Sequence, residues 1–211
     1  LRSIHGGTVM KWTGKRVALA LGGGGVRGFC HVGVLKVLEQ EAIPIDLIVG
    51  TSAGALIGGA YASGQSPRYI QAKIEAYLRS PEFDASPLKS IGLSFSPGRI
   101  GRFQRARAFL VNRLYFLRAF FRPAVLPTRE FSSLIDFFVP EMDIRETRIP
   151  FRAVATDLIT GRRIVFSEGP LRKAVLASCA VPGAVEPVRQ GDWLLADGGI
   201  TSLVPVRAAR E

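Results

Sequence analysis

Histidine is nearly missing from this chain of 211 residues: it has two, His5 and His31, both close to the N-terminus. Cysteine is as scarce. Cys30 and Cys179 stand far apart, so there is neither a disulfide framework nor a metal-ligand spacing, and a reducing, cytoplasmic compartment suits that usage best. Long apolar runs are lacking too. The most apolar window, Ile43 to Ala62, reaches the ~20 residues a membrane span requires, but Pro44, Asp46 and a glycine-bounded turn interrupt it. It reads as a buried strand plus helix. Leu1 to Arg16 mixes charges with glycine and has no apolar h-region, so it does not read as a signal peptide. No motif recurs with a period of ~20–50 residues, which argues against a repeat architecture. Finally, acid is absent from one stretch: between Asp84 and Glu130 stand nine basic residues and no Asp or Glu. The net charge of +11 comes almost wholly from there, since elsewhere the two signs nearly balance.

Against these absences, the chain is 47% hydrophobic and carries 23 glycines, enough for one α/β domain with a substantial core. Two glycine turns, Gly22-Gly23-Gly24-Gly25-Val26-Arg27-Gly28 and Gly50-Thr51-Ser52-Ala53-Gly54, each follow a short apolar run and open a helical pattern. The second matches G-x-S-x-G, in which small flanking residues allow a strained strand-to-helix turn that presents the Ser52 hydroxyl at a helix N-terminus. The first supplies backbone N–H groups with no side chains in the way. Gly23, Gly24 and Gly25, with Ala53 at the start of the Ser52 helix, are the candidate oxyanion donors.

The shortage of histidine now becomes informative. An α/β-hydrolase places its catalytic histidine after the serine, and here no histidine follows Ser52. A carboxylate must serve as base instead. Asp197, in the turn Trp193-Leu194-Leu195-Ala196-Asp197-Gly198-Gly199, is the candidate, with its pKa raised by desolvation beside Trp193, Leu194 and Leu195. Asp157, after the apolar run Phe151–Thr156, is the reserve. His31, with Val32 and Val34 beside it in a helical segment, reads as a packed residue and not as a base.

In this order the glycine loop, the G-x-S-x-G elbow and the D-G-G turn resemble the patatin-like phospholipases, from about Arg16 to Pro205. The small-residue block Ala177-Ser178-Cys179-Ala180-Val181-Pro182 is similar to the segment that precedes the aspartate strand in that family. The resemblance implies a Ser52–Asp197 dyad, a glycine-loop oxyanion hole, no metal or organic cofactor, and a chain that usually continues further, so that this one would be truncated at its C-terminus. One position departs from the pattern: six residues after the aspartate the family commonly has Asn, and here stands Leu203. Either the turn behind Asp197 is braced differently or the acid is less well oriented and the enzyme slow.

The expected architecture is a three-layer α/β/α sandwich with a mostly parallel central sheet, residues 1–15 forming an N-terminal arm and residues 16–211 the domain. Arg16–Leu21 and Leu47–Gly50 read as buried parallel strands. Phe29–Gln40 reads as a helix with Val34, Leu35 and Leu38 on one face, and Ala53–Tyr61 as the elbow helix. Ser66-Pro67 caps a helix to about Arg79, and a short helix runs from Thr128 to Phe138. Phe151–Asp157 and Arg162–Ser167 flank Thr160-Gly161 as a hairpin, Pro170 opens a helix to Ser178, and Trp193–Ala196 is the strand that delivers Asp197.

Residues 85–129 form a basic insert. Between Arg99 and Arg122, Phe103, Leu110, Leu114, Leu117 and Phe121 share one helical face, with Arg105, Arg118 and Arg122 away from it. Such a helix suits peripheral attachment to an anionic membrane; the competing reading packs its apolar face on the core or on a second subunit. Charge alone would also suit nucleic acid, but no binding module accompanies it. Gly23-x-Gly25-x-x-Gly28 also satisfies the dinucleotide fingerprint, yet the end of the next strand, where a ribose-binding acid is needed, is occupied by the elbow. The functional reading is therefore a lipid acyl hydrolase acting on phospholipid or related ester bonds. The alternative is a catalytically weak patatin-like module that binds membranes or a partner; the sequence leaves the oligomeric state open.

Overall fold

The computed structural model describes residues 15–81, 83 and 128–211. All but the last residue of the expected arm at residues 1–15, and nearly all of the basic insert, including Arg99–Arg122, lie outside the described residues.

Short apolar strands ended by small residues build one mixed sheet. Its members are β1 (Ala18–Leu21), β2 (Leu47–Thr51), β3 (Phe151–Asp157), β4 (Arg163–Phe166), β5 (Val188–Gln190) and β6 (Trp193–Asp197). β1, β2 and β3 are parallel neighbours, whereas β3 pairs antiparallel with both β4 and β6, and β6 with β5. The β3–β4 pair is the expected hairpin. Helices α1 (Cys30–Gln40), α2 (Ala53–Ala62), α3 (Pro67–Leu78), α4 (Thr128–Phe138) and α5 (Leu171–Cys179) complete most of the domain, followed by short α6 (Gly199–Ser202) and α7 (Val206–Arg210).

Each long helix is explained by local chemistry. The Ser66 hydroxyl caps α3 by accepting from Tyr69 N–H at 3.2 Å, with Pro67 in the first turn, where a missing N–H costs nothing. In α4, Phe131, Ile135 and Phe138 recur at helical spacing and are buried. α2, AGALIGGAYA, is buried at all ten positions, as a helix apolar all round should be. In α1 the core-facing residues are Val32 and Leu35, while Val34, expected on that face, is 46% exposed. The reason is the helical step of about 100° per residue, which sets Leu35 close to Val32 but carries Val34 round to the far side from Val32.

The two faces of the sheet are unequal. One large core joins α1–α5 to the sheet through Leu21, Ile48, Phe151, Ala153, Ala155 and Leu195. Side chains one residue out of phase, Val49 and Val154, meet Ala208 of α7 on the opposite face, as the period of two in a strand demands.

The pairing along β3 matters most for the site. β4 occupies one edge of β3 from Ala153 to Thr156. A strand has two edges, so β2 and β6 share the other one. β2 reaches it at Thr51, opposite Val154, and β6 at Asp197, opposite Ala155. Two strands running toward each other thus meet end to end at adjacent β3 residues.

Candidate active site

The residue after Thr51 is Ser52, and that register brings it to Asp197. Ser52 has φ 53° and ψ −125°, a strained left-handed-side backbone that L-residues adopt rarely and mostly where function requires it. The strain is held by packing. A Cβ on Gly54 would collide with the Leu21 carbonyl oxygen, and one on Gly50 would come within 2.5 Å of Ala55 Cα; only glycine allows α2 to leave β2 so sharply. Ser52 then stands at the N-cap position of α2, without a capping bond from its side chain, and the N-terminal amides of α2 point toward the site. Ser52 and Asp197 are 8% and 7% exposed, and the Ser52 hydroxyl lies near enough to the Asp197 carboxylate to favour its charged form.

Burial lifts the Asp197 carboxyl above its ordinary value of 3.8; the nearby Ser52 hydroxyl and the bond from the Gly199 N–H favour the anion and offset part of that rise. The Gly199 bond measures 2.7 Å to Oδ1. Below the carboxylate, the Thr156 hydroxyl donates to the Asp197 carbonyl at 3.1 Å, and Asp197 N–H donates to the Ala180 carbonyl at 2.8 Å. Nearby Cys179, fully enclosed, has its thiol pushed well up by burial and then by the Asp197 charge. It is inert packing.

The glycine loop lies over the start of α2. A Cβ on Gly28 would collide with the Ala53 Cβ, and one on Gly23 would come within 3.2 Å of the Ser52 Cβ. One expectation needs correction here. Gly23 N–H donates to the Leu203 carbonyl at 2.9 Å, so this amide is spent on the fold, leaving Gly24, Gly25 and Ala53 as the candidate donors. The same bond answers the question raised by Leu203: its main chain ties the turn behind Asp197 to the glycine loop, and its side chain is 58% exposed.

Asp157, the reserve base, is excluded by its bonding. Its Oδ1 accepts from Ile159 and Leu194 N–H at 3.2 and 3.1 Å, and its Oδ2 from the Thr160 N–H at 3.2 Å and hydroxyl at 2.6 Å. These donors, the Thr160 hydroxyl first, hold its pKa below the ordinary value. It closes the hairpin and anchors β6. Two contributors escaped the sequence reading. Ser178 is fully buried; its Oγ accepts from Ser52 N–H at 2.9 Å and donates to the Val154 carbonyl at 2.6 Å. His31 Nε2 lies 2.9 Å from the Gly22 carbonyl oxygen. Neither bond leaves a local signature, since each partner is distant in sequence or hidden by a turn.

The site thus sets, on an α/β fold, a serine on a strained strand-to-helix turn, a glycine loop above it and a buried carboxylate beside it. The family model of patatin-like phospholipases matches residues 19–210, and the chain belongs to that family. It is 31% identical over 191 residues to an uncharacterized NTE family protein of Mycobacterium tuberculosis, covering 90% of this chain and 44% of that one. A patatin-like phospholipase domain-containing protein of Caenorhabditis elegans is 30% identical over 200 residues, 94% of this chain and 13% of its own. Patatin-like phospholipase domain-containing protein 6 of Homo sapiens is 29% identical with the same coverage. The chain thus spans less than half the length of these relatives. The crystal structure of VipD from Legionella pneumophila superposes with a TM-score of 0.49 at 15% identity, covering 88% of this chain and 46% of that one. Among the described residues no helix is long and apolar enough to cross a membrane.

Proposed function

We propose that this chain hydrolyses the ester bonds of phospholipids or related lipids through an acyl-enzyme on Ser52, with Asp197 as general base. The observation that carries the reading is the meeting of the ends of β2 and β6 at adjacent β3 residues, which brings the buried Ser52 beside the buried Asp197 carboxylate. Ser52 Oγ attacks the carbonyl carbon while its proton passes to Asp197, and the oxyanion is received by N–H groups of Gly24, Gly25 and Ala53 at the positive end of α2. Collapse breaks the ester C–O bond, and Asp197 returns the proton to the departing alcohol. Water then attacks the acyl-enzyme, giving its proton to Asp197; as the fatty acid leaves, Ser52 regains its proton.

A base with an ordinary carboxylate pKa is weak at neutral pH, and the raised value of Asp197 improves the match to a serine hydroxyl. Arg99–Arg122 would hold the domain peripherally on an anionic membrane, where the substrate is. A fluorophosphonate probe should label the wild type at Ser52 alone, and mass spectrometry of a lipid panel should show free fatty acid released by the wild type and none by Ser52→Ala. Undiminished hydrolysis by Ser52→Ala would falsify the assignment.

A further inference from the structure

A loop of four successive glycines has no side chains with which to hold itself still, and each glycine has unusual backbone freedom. Donors that stabilise an oxyanion are effective only when fixed beforehand. The restraint must come from elsewhere in the fold. The peptide unit joining Gly22 to Gly23 is gripped from both sides. Its carbonyl oxygen lies 2.9 Å from His31 Nε2, and its N–H donates to the Leu203 carbonyl at 2.9 Å. A carbonyl can only accept, so Nε2 carries the proton in this bond. The peptide plane is rigid and trans, so its C=O and N–H point in opposite directions and the two partners prevent it from turning about the chain axis.

His31 is well placed to hold its end. It sits in the first turn of α1, half-buried, next to Val32, which is anchored in the core. The other end of the clamp belongs to the turn behind Asp197. One peptide thereby sets the position of the glycine loop relative to both the α1 core and the carboxylate.

We infer that His31 is a positioning residue for the oxyanion loop, acting through the Gly22–Gly23 peptide and not on the substrate. This inference rests on the reading of the glycine loop as an oxyanion site. His31→Gln retains an N–H donor of similar reach, whereas His31→Phe keeps a ring of similar shape without one. With a soluble short-chain ester, His31→Phe should lower kcat roughly 10- to 100-fold with KM within about twofold of wild type, since a displacement of about 1 Å near the reacting atoms costs on the order of 100-fold. His31→Gln should restore most of that loss. Amide exchange of the folded protein gives a readout free of activity: the Gly23 N–H should exchange faster in His31→Phe than in wild type or His31→Gln. If the wild type neither hydrolyses esters nor reacts with the probe, the proposed function falls, and Gly23 exchange still decides whether the clamp exists. If the wild type is active and His31→Phe matches it in kcat, or if Gly23 exchange is unchanged, the role of His31 is overturned.

Discussion

Asp197 is asked to do two conflicting things, to be buried and to be charged. Its folded pKa lies above the ordinary 3.8 because burial outweighs the influence of the nearby Ser52 hydroxyl and the bond from the Gly199 N–H. The folded state therefore binds more protons than the unfolded chain between 3.8 and the folded pKa, and stability falls as pH rises through that interval. Above its folded pKa the wild type bears the whole cost of the buried anion. Asp197→Asn, which can still accept from Gly199, should melt at an equal or higher temperature than wild type at pH 7, with the advantage fading as pH drops toward 3.8. The same variant should lose hydrolysis at every pH. In the wild type, kcat/KM should fall on the acid side through an apparent pKa above the ordinary carboxylate value. Differential scanning calorimetry and a pH–rate series read the two effects, and a variant less stable than wild type at pH 7 would count against a strained charge at this position.

Among elements, the end of α5 is the least obvious contributor and the most connected. Ser178 bridges the elbow and β3, while the carbonyls of Ser178 and Ala180 receive the N–H groups of Gly198 and Asp197 at 3.4 and 2.8 Å. One helix terminus therefore touches the nucleophile's strand, the hub strand and the acid's turn. Its free carbonyls find these partners where a helix end would otherwise need caps. Ser178→Ala removes one hydroxyl and leaves the Ser52 N–H and Val154 carbonyl without it, in a place that water does not reach. Stability should drop by about 1–3 kcal/mol, the usual cost of stranding buried polar groups, measurable by urea unfolding with an unchanged slope. The rate should fall through kcat, because the Ser52 backbone loses a tether while the substrate-facing surface is untouched. A Ser178→Ala protein with wild-type stability and rate would show that the bridge is incidental.

At the scale of the molecule, charge is concentrated and not spread. Most of the +11 net charge belongs to the segment between Asp84 and Glu130, and the proposal that it meets an anionic membrane is separable from the chemistry. Arg105, Arg118 and Arg122 changed together to Glu should weaken co-sedimentation with anionic vesicles at low salt, each basic residue near such a surface contributing about 1 kcal/mol. Hydrolysis of a soluble short-chain ester should stay close to wild type. Added salt should reproduce the weakening in the wild type, since the Debye length at physiological ionic strength is already ~8 Å. Binding by the folded triple variant that equals wild type at every salt concentration would favour packing of this segment on the core or on a second copy.

The residues determine by themselves whatever depends on neighbours along the chain. The Gly50–Gly54 elbow, the Ser66-Pro67 helix start, the β3–β4 hairpin about Thr160-Gly161 and the order of glycine loop, serine and aspartate are all readable locally, because turn geometry, capping and strand periodicity act over a few residues. The short strand β5 and helices α6 and α7 are not readable, being too brief to show a period. Tertiary structure decided what each polar group does. Asp157 and Asp197 both follow apolar runs, yet four donors occupy the first, while burial works against the charge of the second. Gly23 and Gly24 are alike in sequence, but Leu203, far along the chain, takes the amide of the first. Above all, β2 and β6 meet on one edge of β3 because β4 holds the other. That allocation of edges is a long-range competition for backbone hydrogen bonds, and it is what brings Ser52 to Asp197.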